Sequence, residues 1–250
     1  MSVYDYLMDV VKRRGAGYIV LLDPDRLHKK QMMALVEAGC NVGVDAFFIG
    51  SSLILNSEFN TFVRQVKQQA TIPVILFPGN AMQISRHADA ILFLSLVSGR
   101  DPNYLIGEHI KAAPVIRQLG VEPISTGYML IESGRMTSAE FMSNTRPIPR
   151  DKTDIAKATA LAAEFLGMRM IYLEAGSGAL YPVLPEMVQA VAEYVKTPVI
   201  VGGGIRKPEE ARERAEAGAS FIVTGNVLEA SNDHSLIQEF AEAVHYKNDQ

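Results

Sequence analysis

Short apolar runs recur along the chain at intervals that leave room for one helix each. They are Tyr18-Ile19-Val20-Leu21-Leu22, Ala46-Phe47-Phe48-Ile49, Val74-Ile75-Leu76-Phe77, Ala90-Ile91-Leu92-Phe93-Leu94, Pro123-Ile124-Ser125-Thr126, Met170-Ile171-Tyr172-Leu173, Val199-Ile200-Val201 and Phe221-Ile222-Val223. The runs are continuous rather than alternating, as in parallel strands covered on both faces. Helical patterns fall between most of them, over Leu27 to Ala38, Ser57 to Ala70, Tyr104 to Leu119, Thr153 to Leu166, Pro185 to Tyr194 and Pro208 to Ala217. In the last, Lys207-Pro208-Glu209-Glu210 places proline and acids in a first turn, where unpaired N–H groups favour them, and Gly218 stops the helix. Eight β–α units without a linker predict an α/β fold, one (β/α)8 TIM barrel over residues 1–250, rather than an open doubly wound sheet.

Two stretches break the rhythm. Only twelve residues separate Phe77 from Ala90, beginning Pro78-Gly79-Asn80. They hold a loop and at most one or two helical turns, so the third helix is expected to be shortened or replaced, with a gap left in the outer ring. From Ile131 to Pro149 the chain is polar and interrupted by proline, as in Thr145-Arg146-Pro147-Ile148-Pro149. This predicts a long loop or a short helical lid after strand five.

Composition narrows the class without changing the fold. The chain has 250 residues, 48% apolar and 21% charged, enough for a large core without disulfides. Its one cysteine, Cys40, follows Gly39 at an apparent helix end and reads as a small packed thiol; no intrachain disulfide is possible, which suits a reducing cytoplasm. A net charge of −4 counts against nucleic acid as a partner. The N-terminus is acidic where a signal peptide is basic, and no apolar run reaches the ~20 residues of a membrane helix. A cytoplasmic protein is expected, one that meets any lipid from the water side or by peripheral contact with a bilayer.

In such barrels chemistry sits just beyond the C-terminal ends of the strands. After strand seven comes Gly202-Gly203-Gly204-Ile205-Arg206, and after strand eight Gly225-Asn226. Residues without side chains let backbone N–H groups close on phosphate oxygens, and these two loops are the usual phosphate site of the architecture. Tight turns alone are the plainer explanation, weakened by two glycine loops at matching places. After strand six stands Tyr172-Leu173-Glu174-Ala175-Gly176-Ser177-Gly178, where Glu174 is placed to take a proton from a substrate hydroxyl, or else to make a structural salt bridge. After strand one, Asp23 of Leu22-Asp23-Pro24-Asp25 either holds Mg2+ or caps the next helix. Ser51 and Ser52 after strand two offer hydroxyls to the same ion, or an N-cap. Arg100, after strand four, is a weaker candidate for a diphosphate contact. His109 reads as a packed or solvated helix residue, and the histidines lack zinc spacing.

Together these segments, with Ile49-Gly50-Ser51-Ser52, Phe77-Pro78-Gly79-Asn80 and Ser98-Gly99-Arg100-Asp101-Pro102, resemble the geranylgeranylglyceryl phosphate synthase family from first strand to eighth. The Tyr172-to-Gly178 run is the most specific of them, and a modified third helix is a mark of that family. The resemblance implies a transferase that joins the C3 hydroxyl of sn-glycerol 1-phosphate to C1 of a prenyl diphosphate, geranylgeranyl diphosphate, with loss of diphosphate. It implies that Tyr172, Leu173, Glu174, Ala175, Gly176, Ser177, Gly178, Gly203, Gly204, Gly225 and Asn226 bind the glycerol phosphate. Glu174 is then the base, Tyr172 orients the hydroxyls, and Asp23 and Ser52 place Mg2+ on the diphosphate. Leu21 stands where some shorter members carry lysine, which points to the longer-sequence branch. A homo-oligomer is expected. Two other readings share the glycine loops: a sugar-phosphate isomerase or aldolase, weakened because no strand end carries a lysine, and a non-catalytic phosphate-binding barrel.

Overall fold

The sheet closes on itself. The computed structural model describes residues 1–55, 58–229 and 235–247. Its strands are β1 (Gly17–Leu22), β2 (Ala46–Ile49), β3 (Val74–Leu76), β4 (Ala90–Leu96), β5 (Glu122–Leu130), β6 (Met170–Glu174), β7 (Val199–Gly202) and β8 (Phe221–Thr224). They run in chain order around a closed barrel, each pair parallel, with β8 returning to β1 through Gly17↔Phe221 and Val20↔Thr224. Both faces are buried, which explains the continuous apolar runs. Ile19, Phe48, Ile75, Leu92, Ile124 and Ile200 fill the interior, while Tyr18, Val20, Phe47 and Val201 point outward beneath the helices.

The outer layer comprises α1 (Val3–Arg14), α2 (Lys29–Val42), α3 (Phe59–Gln69), α4 (Glu108–Leu119), α5 (Ser138–Ser143), α6 (Thr153–Phe165), α7 (Pro185–Ala192), α8 (Pro208–Glu216), α9 (Asn226–Glu229) and α10 (Ser235–Val244). The expected start of α3 at Ser57 lies outside the described residues. Helix α2 continues past Gly39 to Val42, so Cys40 is inside it, half-buried against the core. A π-helical turn, Asn103–Gly107, leads into α4 where one continuous helix was expected. Residues 77–89 form turns with no helix, so the third unit leaves a gap in the outer ring. After β5 the chain makes a bridge between Ile131 and Ile148 around α5, which gives the lid expected there. The start of α8 is fixed as its acids imply: the backbone N–H groups of Arg206 and Lys207 donate to Glu210 at 2.7 and 3.2 Å.

Two helices lie outside the elements expected from the sequence: α1 covers the barrel floor, and α10 packs in the outer ring between α8 and α2. Leu7 of α1 packs into the interior cluster, and the N–H groups of Val3 and Tyr4 donate to Glu122 at the start of β5. In Asp45, almost fully buried, Oδ1 accepts from the Arg14 guanidinium at 2.8 Å, while Oδ2 accepts from Tyr18 N at 2.8 Å and lies 2.9 Å from His245 Nε2. One carboxylate thus joins α1, β1 and the segment after α10. Among the described residues no helix is long and apolar enough to cross a membrane.

Removing the Asp45 carboxylate leaves the buried Tyr18 N–H without its acceptor and takes its anionic partner from the Arg14 guanidinium, which still donates to Gly43 O. Asp45→Ala is expected to lower stability by about 3 kcal/mol or more, read as an earlier denaturant midpoint with an unchanged slope. A loss within experimental error would show that the floor is held by apolar packing alone.

Candidate active site

All eight strands end at one rim, and their loops enclose a cavity of about 730 Å³. Polar groups converge on one side of it and apolar ones on the other.

Glu174 is the last residue of β6 and is almost fully buried. Its Oε1 accepts from Gly176 N at 2.6 Å, and the hydroxyls of Tyr128 and Tyr172 both hydrogen-bond to the carboxylate. Burial pushes its pKa up to about 7, against the pull of those three donors. Burial and the neighbouring carboxylate hold both phenols well above the ordinary tyrosine range, so they remain neutral donors. Beneath them Phe77 stacks on Tyr172 at 5.1 Å, and Tyr128 meets Tyr172 at 5.5 Å. These rings floor the site and keep water from Glu174. A carboxyl poised near neutrality can accept a proton and return it.

The glycine loops lie against that carboxylate. Gly203 has φ +83°, and a Cβ there would run into Glu174 Oε1 and Gly176 N. Only glycine allows both the turn and this approach. The loop after β6 reaches the loop after β8, with Asn226 Nδ2 donating to Ser177 Oγ at 3.1 Å. Gly203, Gly204, Gly225, Asn226, Gly176 and Ser177 therefore line one polar corner, as the sequence implies. The lid lies close over this corner, since a Cβ at Gly178 would meet Arg135 and one at Gly176 would meet Thr137. Leu173 and Ala175 are buried beside the corner and do not line the cavity.

Asp23 lies across the mouth. Its Oδ1 accepts from Asp25 N at 2.9 Å, and its Oδ2 accepts from Ser51 Oγ at 3.0 Å. Helix α2 begins only at Lys29, with His28 as its N-cap, so Asp23 does not cap it. The serine hydroxyl on Asp23 belongs to Ser51; Ser52 lines the same cavity. Gln83 braces this turn, donating to Ser51 O at 2.9 Å and accepting from Gly79 N at 3.1 Å. The Arg26 guanidinium lies between Asp23 and Glu229 of α9. Burial first, then the Asp23 charge, raises the Glu229 carboxyl to about 7. The oxygen donors around Asp23 fit a hard cation such as Mg2+, which needs one or two carboxylates and takes the rest of its shell from water and phosphate. Among the described residues no group of three or more His, Cys, Asp or Glu is arranged to hold a metal.

The apolar branch opens where the third unit lacks its helix, between Ile84, Ile91, Phe93, Ala112 and Ile116. His109 belongs to its packing: the ring meets Phe93 edge-on at 4.4 Å, and burial lowers its pKa. Tyr104 ties this wall to the lid by donating to Met142 O at 3.0 Å. Arg100 is not brought to the cavity. Its guanidinium folds back on the carbonyls of its own loop, Gly99 O at 2.6 Å among them, so the structure gives no diphosphate contact to it.

Tyr128, Arg26, Gln83 and Glu229 escaped the sequence reading. Tyr128 was within reach of it, because β5 runs four residues past Thr126 and a longer strand puts Tyr128 near the rim. Glu229 had no local signal, since only closure of the barrel sets it beside Asp23.

Known proteins match the whole chain. The model of the PcrB family covers residues 8–244. A geranylgeranylglyceryl phosphate synthase of Chitinophaga pinensis is 44% identical, over 98% of this chain and 96% of its own. The enzyme of the same name from Methanothermobacter marburgensis is 40% identical over 98% and 99%. The crystal structure of (S)-3-O-geranylgeranylglyceryl phosphate synthase from Thermoplasma acidophilum, in complex with substrate sn-glycerol-1-phosphate, superposes with a TM-score of 0.92 at 32% identity, over 98% of this chain and 99% of that one.

In the free protein, the carboxyl C=O stretch of Glu174 is expected to titrate away with a midpoint at about pH 7 and to be missing in Glu174→Gln. Tyr128→Phe should move the midpoint upward, because the lost hydroxyl bonds to the charged form. An infrared titration checks both; a wild-type midpoint in the ordinary carboxylate range contradicts the burial argument.

Proposed function

The chain belongs to the PcrB family, and from that premise we propose that it is a prenyltransferase making an ether of sn-glycerol 1-phosphate. The C3 hydroxyl of the glycerol phosphate displaces diphosphate from C1 of a prenyl diphosphate, taken here as geranylgeranyl diphosphate. The observation that carries the reading is the buried Glu174 carboxyl, poised near neutral pH directly against a glycine corner shaped for phosphate.

The chemistry follows from those residues. Backbone N–H groups around Gly203, Gly204, Gly225 and Asn226 bind the phosphate of the acceptor, where fixed dipoles need no reorganisation. Tyr172 orients the glycerol hydroxyls over Glu174. As the C3 oxygen attacks C1, its proton passes to Glu174, the C1–oxygen bond of the donor breaks, and diphosphate leaves with the bonding electrons. Two phenol donors then stabilise the carboxylate each time the proton is lost to solvent. Asp23, with a hydroxyl of Ser51 or Ser52, would hold Mg2+, which when bound offsets charge on the leaving diphosphate.

The prenyl chain is assigned to the apolar branch in the gap of the third unit. Burial of apolar area there gives roughly 25 cal/mol per Å², partly offset by ordering the chain. Exposed apolar side chains on the surrounding loops, Leu55, Met82 and Met136, and Phe141 on α5, support a transient contact with a lipid surface.

Purified protein with sn-glycerol 1-phosphate, Mg2+ and a series of prenyl diphosphates of increasing length is expected to give the ether, most efficiently with the geranylgeranyl donor. Folded protein that makes no product with any donor overturns the assignment. Glu174→Gln is expected to lower kcat by about 10²–10⁴-fold with an unchanged fold. Wild-type kcat/KM should fall as pH drops below about 7, because the unprotonated base is lost there. Asp23→Asn is expected to abolish the response to Mg2+; an unaltered response removes Asp23 from the metal site.

A further inference from the structure

We propose that Glu229 is a second carboxylate of the cation site anchored by Asp23, and that Arg26 occupies this site in the cation-free protein. The inference rests on the reading of Asp23 as a metal ligand and deepens it.

The Glu229 side chain is only 9% exposed and lines the cavity. Its Oε1 is buried without a hydrogen-bond partner among the described residues. A buried carboxylate oxygen left unpaired is costly and calls for a ligand. The backbone N–H of Asp23 donates to the same carboxylate, so the two acids are held side by side. Between them lies one guanidinium: Arg26 Nε is 3.5 Å from Asp23 Oδ2, and Nη1 is 3.8 Å from Glu229 Oε2. Charge-assisted bonds are ordinarily about 2.7–2.9 Å, so Arg26 satisfies neither acid fully and is shared by both. Its side chain is 47% exposed, which leaves it free to swing out.

The oxygens that remain are those a small hard cation takes. Asp23 Oδ1 is committed to Asp25 N, whereas Asp23 Oδ2, which also accepts from Ser51 Oγ, and Glu229 Oε2 both turn to the Arg26 guanidinium. Mg2+ is commonly held by one or two carboxylates, with water and substrate phosphate completing the shell. A divalent cation replaces the guanidinium, gives Glu229 the partner it lacks, and concentrates charge more tightly than a delocalised cation does. A purely structural Glu229 would need Arg26 as its permanent partner. A ligand-binding Glu229 has Arg26 as its competitor.

That difference is measurable without turnover. Mn2+ is titrated into the substrate-free, full-length protein, and free Mn2+ is read by electron paramagnetic resonance. Wild type is expected to bind Mn2+, Asp23→Asn to lose it, and Glu229→Gln to bind at least about tenfold more weakly. Arg26→Gln is expected to bind several-fold more tightly, since the resident cation is gone. If wild type binds no Mn2+, or Asp23→Asn binds as well as wild type, the assignment of Asp23 fails and this proposal with it. If Asp23→Asn loses binding while Glu229→Gln retains wild-type affinity, the proposal alone is overturned. Thermal unfolding establishes that each variant is folded. Should Glu229→Gln not fold, Arg26→Gln decides, and unchanged or weaker Mn2+ binding there overturns the proposal.

Discussion

The pairing of β8 with β1 is the constraint on which the site depends. It joins the ends of the chain, through Gly17↔Phe221 to Val20↔Thr224, and is fastened inside the wall by Tyr18 and Thr224, whose hydroxyl oxygens are 2.7 Å apart. Gly17 is required there, because a side chain would strike the Phe221 ring. Once the sheet closes with every strand parallel, all eight C-terminal ends share one rim. The turn after β1 then lies beside α9, and the loop after β6 beside the glycines after β7. Asp23 meets Glu229 only through this closure, whereas Glu174 meets Gly203 through the direct pairing of β6 with β7, Glu174↔Gly202.

The barrel treats its buried carboxylates in opposite ways at its two ends. At the floor, Asp45 has a guanidinium, an imidazole and a backbone N–H as partners, and it holds three segments together. At the rim, Glu174 is equally buried but has only neutral donors: two phenols and one amide. An ion pair would keep its charge fixed; neutral donors in a dry pocket leave the proton exchangeable near pH 7. Among the described residues, one buried oxygen of Glu229 has no hydrogen-bond partner. Such costs are borne by the two apolar layers beneath, an inner one that includes Leu7 of α1 and an outer one that includes Phe240 of α10. The floor therefore supplies stability, and the rim supplies chemistry.

The missing helix of the third unit divides the cavity. Where residues 77–89 run as turns, the wall opens between apolar side chains of β4 and α4, and an extended hydrocarbon has a way out of the rim. The polar corner at β6 to β8 lies opposite. One vessel thus offers a dry slot and a phosphate corner on either side of the buried acid. This arrangement suits the proposed reaction between a water-soluble acceptor and an oily donor.

The sequence by itself determined the eight strands, the order of the helices, the short third unit, the lid after β5, and the glycines and Glu174 at the rim. These are legible because burial on both faces writes continuous apolar runs, and because tight turns and helix starts demand particular residues within a few positions. Helices α1 and α10 stand outside the expected elements, although Ser2 caps α1 and both helices bury one apolar face; where those faces pack, under the barrel for α1 and between α8 and α2 for α10, is set by the tertiary structure. The sequence did not disclose Tyr128 on Glu174, the bond of Ser51 to Asp23, Arg100 folded onto its own loop, or Glu229 next to Asp23. Side-chain direction at the end of a strand is set by register, and a single step exchanges one neighbour for the next. The meeting of residues 206 positions apart, Asp23 and Glu229, is set by closure of the sheet. Local pattern fixed which residues reach the rim; only the closed barrel decided which of them touch.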